Sequence, residues 1–175
     1  MHSQGLYGAN ACVSKSIASI TTGGATTYAN GAAVVYGIKG KAYSVAIASG
    51  VASPTLDGNT GVAFLPLKAN QGCVFVWCMD SSGVAQVCQG EINALDASGA
   101  FVSAPEFPYI PDTLTPFAYL VIKAISTASA WTFGASNWNA TGIHNGTTNS
   151  AISGAGSALL CVDVMLGLPD KPVTG

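Results

Sequence analysis

Three turns of one kind punctuate this chain: Asp57-Gly58-Asn59-Thr60-Gly61, Asp80-Ser81-Ser82-Gly83 and Asp96-Ala97-Ser98-Gly99. An Asp heading such a turn can accept hydrogen bonds from the backbone amides that follow it. Gly supplies the backbone angles that other residues avoid. Between the turns lie short apolar runs rich in β-branched and aromatic residues. Strands recurring at about 8–12 residues with turn signals between them are the mark of antiparallel β-structure. The chain therefore reads as all-β: an antiparallel β-sandwich or barrel-like domain with long loops and extended termini. No βαβ alternation appears, which disfavours nucleotide-binding α/β folds.

The runs can be placed individually. Ala32–Ile38 and Ala42–Ala48 flank Lys39-Gly40-Lys41 as a hairpin. Val74–Met79 and Val84–Gln89 flank the Asp80 turn, and Glu91–Leu95 and Ala100–Ser103 flank the Asp96 turn. Val62–Lys68 reads as a strand that Pro66 confines to an edge or a bulge. Alternation puts Phe75 and Trp77 on one side of their strand and Val74 and Val76 on the other, so this strand is expected to be central and covered on both faces. Pro105, Pro108, Pro111 and Pro116 form a ladder that reads as an extended crossing loop, since proline fixes φ and removes a donor. Phe117–Ile125, Trp131–Phe133 and Ala158–Met165 complete the strands, with a loop over Gly134–Ser153. A weak helical periodicity over Ser14–Ile20 allows one short helix. Residues 1–27 are read as an N-terminal segment or arm, 28–166 as the β-rich domain and 167–175 as an exposed tail.

Composition narrows the function. The 175 residues carry six Lys, no Arg and eight acidic residues, for a net charge of −2 and only 8% charged residues. Six scattered lysines cannot neutralise a row of phosphates, so no nucleic-acid partner is expected. The stretch from Ala124 to Val162 has no Asp, Glu, Lys or Arg, yet its Ser, Thr, Asn and Gly are wrong for lipid, and no apolar run approaches the ~20 residues of a membrane span. Met1-His2-Ser3-Gln4-Gly5 lacks a basic start followed by an apolar core, so the chain is expected to be made in the cytosol. Five cysteines in apolar surroundings (Cys12, Cys73, Cys78, Cys88 and Cys161) read as reduced core residues, because an odd number without CxxC spacing fits neither a disulfide framework nor zinc.

No catalytic signature emerges. Gly37-Ile38-Lys39-Gly40-Lys41-Ala42 is too short for a phosphate-binding loop and has Ala where Ser or Thr is needed. Gly134-Ala135-Ser136-Asn137-Trp138 departs from a nucleophile elbow at Trp138. A hydrolase would have to join Ser136 or a cysteine to His144, which sits in a turn-like Ile143-His144-Asn145-Gly146. Asp57, Asp80 and Asp96 are better explained as turn caps than as paired glycosidase carboxylates. The protein is expected to be no enzyme and to need neither cofactor nor metal. Trp131, Phe133 and Trp138 next to Asn137 and Asn139 suit either a sugar-binding face or a charge-depleted protein interface, and the interface is favoured.

Several phrases carry a resemblance: Ala63-Phe64-Leu65-Pro66-Leu67 leading into Ala69-Asn70-Gln71-Gly72-Cys73, Phe107-Pro108-Tyr109-Ile110-Pro111-Asp112-Thr113-Leu114-Thr115-Pro116-Phe117-Ala118-Tyr119, Trp131 to Gly142, and Leu168-Pro169-Asp170-Lys171-Pro172. From about Tyr28 to Pro172 the chain resembles small virion proteins of tailed bacteriophages. The resemblance implies a structural protein, a decoration or cement protein on the capsid exterior. Its partners would be the major capsid protein and its own copies as a homotrimer. It would be made in the bacterial cytoplasm and located in the virion, with no catalytic residues to carry over. On that expectation Pro108, Tyr109, Pro111, Trp131, Phe133 and Trp138 make the interface, and Trp138→Ala weakens assembly more than folding. The competing expectation is a carbohydrate- or receptor-binding module of a tail or fibre.

Overall fold

The computed structural model describes residues 10–14, 18–21, 26–152, 160–161, 168 and 171–174. Among the described residues there is no helix, and every sheet is antiparallel. Two small sheets come from the first third of the chain. One joins β1 (Ala11–Cys12), β4 (Val34–Ile38) and β5 (Lys41–Val45); the other joins β2 (Ala18–Ile20), β3 (Thr27–Asn30) and β6 (Ala48–Ala52). The main sheet is built on two long neighbours, β7 (Gln71–Met79) and β10 (Thr115–Ala124). β8 (Ala85–Gln89) and β9 (Asn93–Ala94) share the outer side of β7. β11 (Ile143–Asn145) and β13 (Leu160–Cys161) share the outer side of β10, and β12 (Ser150–Ala151) extends β11. The sheets do not close into a barrel, and the arrangement is sandwich-like.

The alternation along β7 and β10 builds two apolar layers. Cys73, Phe75, Trp77 and Met79, with Leu120 and Ile122, face the two small sheets, whose Ile20, Tyr28, Val34 and Tyr36 are buried against them. Val74, Val76, Cys78, Tyr119 and Val121 form the opposite face, onto which Phe101, Phe107, Ile110 and Leu168 pack. The central strand is thus covered on both sides, as its pattern predicts. The proline-rich segment lies over this second face, and Gly90 lets it come close. A Cβ there would meet the Glu106 carbonyl oxygen at 3.1 Å and Pro108 Cδ at 3.6 Å.

Several local expectations are corrected. Ala18–Ile20 is a strand, not the end of a helix; residues 15–17 lie outside the described set. Because β1 pairs with β4 and β2 with β3, the segment before Tyr28 belongs to the fold and not to a separate arm in its described parts. Asn10 anchors it further, donating to the carbonyls of Asp112 and Leu114 at 2.7 and 2.8 Å. In the tail, the Val173 amide donates to the Tyr119 hydroxyl at 3.4 Å, and Leu168 joins the second layer. Val62–Lys68 is no strand: only Ala63 and Leu67 make single bridges, to Leu56 and Trp131. Pro66 withholds a donor there. Pro116, by contrast, lies inside β10 opposite Cys78, next to the register shift between Pro116 and Ala118 that accommodates it. Trp131–Phe133 contributes one bridge and then turns, and the expected loop over Gly134–Ser153 contains β11 and β12. Of Ala158–Met165 only Leu160–Cys161 is described, as β13; the rest, and the Cys161 side chain, lie outside the described residues.

Cys12, Cys73, Cys78 and Cys88 are buried, as core residues were expected to be, and among the described residues none of the four is in a disulfide. Burial pushes the Cys73 thiol up from 9.0 to about 12 and the Tyr28 phenol up from 10.0 to about 12. The native state therefore holds its protons at pH values where the unfolded chain has lost them, and stability falls as pH climbs from about 9 toward 12. Urea midpoints measured at about pH 8 and about pH 10.5 should show this loss, and Cys73→Ala combined with Tyr28→Phe should reduce it, the remainder coming from Cys78, Tyr36 and Tyr119, whose burial raises them too. Gly134 sits at φ 72°, and a Cβ there would run into the Pro54 carbonyl oxygen. Gly134→Ala should cost about 2–4 kcal/mol of unfolding free energy, measured by denaturant titration.

Candidate functional site

A broad surface hollow begins with the Asp57 turn. Asp57 Oδ1 accepts from the Asn59 amide at 3.0 Å and its Oδ2 accepts from Thr60 Oγ1 at 3.1 Å. The same carboxylate also takes the Gln89 amide of β8 at 3.4 Å, while the Gly58 amide donates to the Val87 carbonyl at 2.7 Å. This turn therefore fastens the outer edge of β8. At Leu65, four residues past the turn, the Gln89 side chain completes the attachment. Its Oε1 accepts from the Leu65 amide at 2.8 Å and its Nε2 donates to the Leu65 carbonyl at 2.9 Å. One side-chain amide thus does for Leu65 what a neighbouring strand would do.

With its backbone held, the loop presents side chains in a spacing of three. Phe64 and Leu67 go into the core, while Val62 and Leu65 are 61% and 63% exposed. Across the hollow stands the proline segment with Phe107, Pro108 and Tyr109, the last 71% exposed. The hollow is open, of about 480 Å³, and its acidic lining residues are Asp57, Glu91 and Glu106, with no Lys among them. Three large apolar side chains are thus held out into water around one concave surface.

The expected interface residues divide between this surface and the core. Pro108 and Tyr109 line the hollow. Pro111 is half-buried, and its carbonyl accepts from the Leu114 amide at 3.0 Å. Trp131, Phe133 and Trp138 do not form a surface: each is 1% exposed. They pack with Phe75 and Trp77, with ring centroids 4.7 Å apart for Phe75–Phe133 and 6.2 Å for Trp77–Trp138. Their polar edges are satisfied internally, Trp131 Nε1 donating to the Asn137 carbonyl at 2.9 Å and Trp138 Nε1 to the Thr27 carbonyl at 3.3 Å. A hydrophobic segment flanked by Asn looks like a binding face in sequence, but here the rings are in the core, while Asn137 and Asn139 are exposed and Asn137 meets Trp131 only through its backbone carbonyl. Val62, Leu65 and Gln89 were missed because a strand reading of Val62–Lys68 would turn alternate residues inward. The Gly61 and Pro66 that interrupt that run were the available signal.

The other constellations weighed from sequence are not assembled. Ser136 Oγ accepts from the Thr132 amide at 3.0 Å within its own loop. His144 lines a separate, smaller hollow of about 150 Å³ with Asn70, Asp96, Ser98 and Asn149, which includes neither Ser136 nor a cysteine. Asp80 Oδ1 accepts from the amides of Ser82 and Val84 at 2.8 and 3.0 Å, and Asp96 Oδ1 from those of Ser98 and Ala100 at 2.8 and 2.9 Å, so both are turn caps as read. Among the described residues no group of three or more His, Cys, Asp or Glu is placed to hold a metal ion, and no helix is long and apolar enough to cross a membrane. Comparison of the chain with protein-family models, with curated proteins and with solved structures finds no match.

Trp138→Ala is now expected to act on folding, removing about 3–5 kcal/mol. Tyr109→Ala should leave stability within about 0.5 kcal/mol of the parent, because its ring is largely in water. Urea denaturation of the two variants checks both. Gln89→Leu should speed hydrogen exchange at the Leu65 amide, which loses its acceptor, while leaving the amides of β10 unchanged.

Proposed function

We propose that this chain is a non-enzymatic structural protein of a bacteriophage particle, a decoration or cement protein that binds the capsid exterior and stabilises it through contacts with the major capsid protein and with its own copies, as a homotrimer. The observation that carries the reading is the hollow bounded by Val62, Leu65 and Tyr109, whose backbone is held in place before any partner arrives. Preorganisation of this kind lowers the ordering cost of association. The scarcity of charge supports the same reading, because a neutral surface is cheap to desolvate against copies and shell. Glu91 and Glu106 at the rim call for a Lys or Arg on the surface that meets them.

A second reading draws on the same place. An exposed aromatic ring, Tyr109, beside the amide Asn59 and two carboxylates is also suited to stack on and hydrogen-bond a sugar, as in a receptor-binding module of a tail or fibre. Selective retention on a glycan array, lost in Tyr109→Ala, would replace the first reading with the second.

Light scattering coupled to size exclusion should give a trimer with and without reductant. The parent chain should co-sediment with DNA-free shells of its major capsid protein. Leu65→Asp should weaken that binding at least about tenfold without lowering the urea midpoint, since the side chain leaves no core contact behind. Shell binding that survives both Leu65→Asp and Tyr109→Ala would refute the role of this hollow.

A further inference from the structure

Away from that hollow, one lysine is placed unlike the other described ones. Lys123 lies on β10 with its residue fully buried, in register with Gly72 on β7 and His144 on β11. Its Nζ stands 3.3 Å from Asn149 Oδ1 and 5.3 Å from the centroid of the Phe101 ring. Gly72 makes the room for that ring, since a Cβ there would meet Phe101 at 2.5 Å. Asn149 is carried by the turn between β11 and β12 at φ 52°, a left-handed conformation that Asn tolerates. Asp96 and Asn149 line the same small hollow beside it.

We infer that Lys123 and Asn149 are the two halves of an intramolecular amide cross-link, with Asp96 as the proton carrier. The Lys123 amine nitrogen attacks Asn149 Cγ, the bond from Cγ to the side-chain nitrogen breaks, and that nitrogen leaves as ammonia. A Lys amine and an Asn carboxamide thus become one secondary amide plus ammonia, with no oxidant or further reactant. Three features of the site favour the step. Burial pushes the Lys123 ammonium below its ordinary value, with the Asp96 charge opposing, so more of the amine is in its nucleophilic neutral form. Hydrogen bonds from Ser98 and the backbone hold the Asp96 carboxyl ionised, and its place in the hollow that Asn149 also lines puts an acceptor there for the proton of the attacking nitrogen. Having taken it, Asp96 delivers it to the departing one. The geometry holds nucleophile and carbonyl in contact, which replaces a bimolecular encounter. The product would tie β10 covalently to the β11–β12 turn. The reaction needs no partner, so it stands or falls separately from the role of the other hollow.

Intact-mass measurement of the purified, folded chain after incubation at neutral pH decides the matter. The expected mass is lower than that of the sequence by one ammonia, about 17 Da. Trypsin should fail to cleave after Lys123, and a chymotryptic digest should yield the segments around Lys123 and Asn149 joined. Lys123→Arg and Asn149→Ala should each restore the full variant mass, and Asp96→Ala should slow the loss at least about tenfold. A parent mass equal to the sequence mass overturns the proposal. So does an ammonia loss that persists in Lys123→Arg, which would place it at an Asn-Gly succinimide such as Asn145-Gly146.

Discussion

Everything in this molecule is arranged around the pairing of β7 with β10, two long strands whose side chains are apolar on both faces. A strand pair of that composition cannot leave either face in water, because each buried aromatic or branched side chain contributes about 1.5–3 kcal/mol that exposure would forfeit. One face is covered by the two small sheets and the aromatic group of Trp131, Phe133 and Trp138. The other meets no sheet among the described residues and is covered by irregular chain: the proline segment, Phe101 and Leu168. Prolines suit that task, since an extended segment lying across a sheet needs few backbone donors of its own.

The edges of the sheet follow from the same constraint. β8 is the outermost strand on one side, and an open edge invites pairing with another chain. Here Gly58 and the Asp57 carboxylate occupy its amide and carbonyl groups, and Gln89 reaches out to hold Leu65. The edge is protected by a loop that sends Phe64 and Leu67 into the core and holds Val62 and Leu65 out into water. Protection against unspecific pairing and the exposure of Val62 and Leu65 are thus the same piece of structure.

Much of the fold was legible in the sequence because it rests on local rules. The Asp80 and Asp96 turns, the Lys39-Gly40 hairpin with φ 48° and 79°, and the two-faced alternation of Val74 to Trp77 each need only a few neighbouring residues to be read. What failed depends on long-range partners. Ala18–Ile20 is a strand because Tyr28 to Asn30 lie beside it, and Val62–Lys68 is not one because Gln89, 24 residues beyond Leu65, holds it by a side chain. The site was half legible for the same reason. Pro108 and Tyr109 stand out as proline-flanked aromatics, whereas the burial of Trp138 depends on a carbonyl 111 residues away, at Thr27.

The proline segment has one property that neither of its tasks alone would give it. Phe107 belongs both to the cover of the second core face and to the wall of the open hollow. Whatever fills that hollow presses on the layer that keeps Val74, Val76 and Tyr119 dry, so occupancy and folding draw on one free energy. A molecule with a bound partner there would be firmer than the molecule alone, its native state gaining RT ln(1 + [L]/Kd).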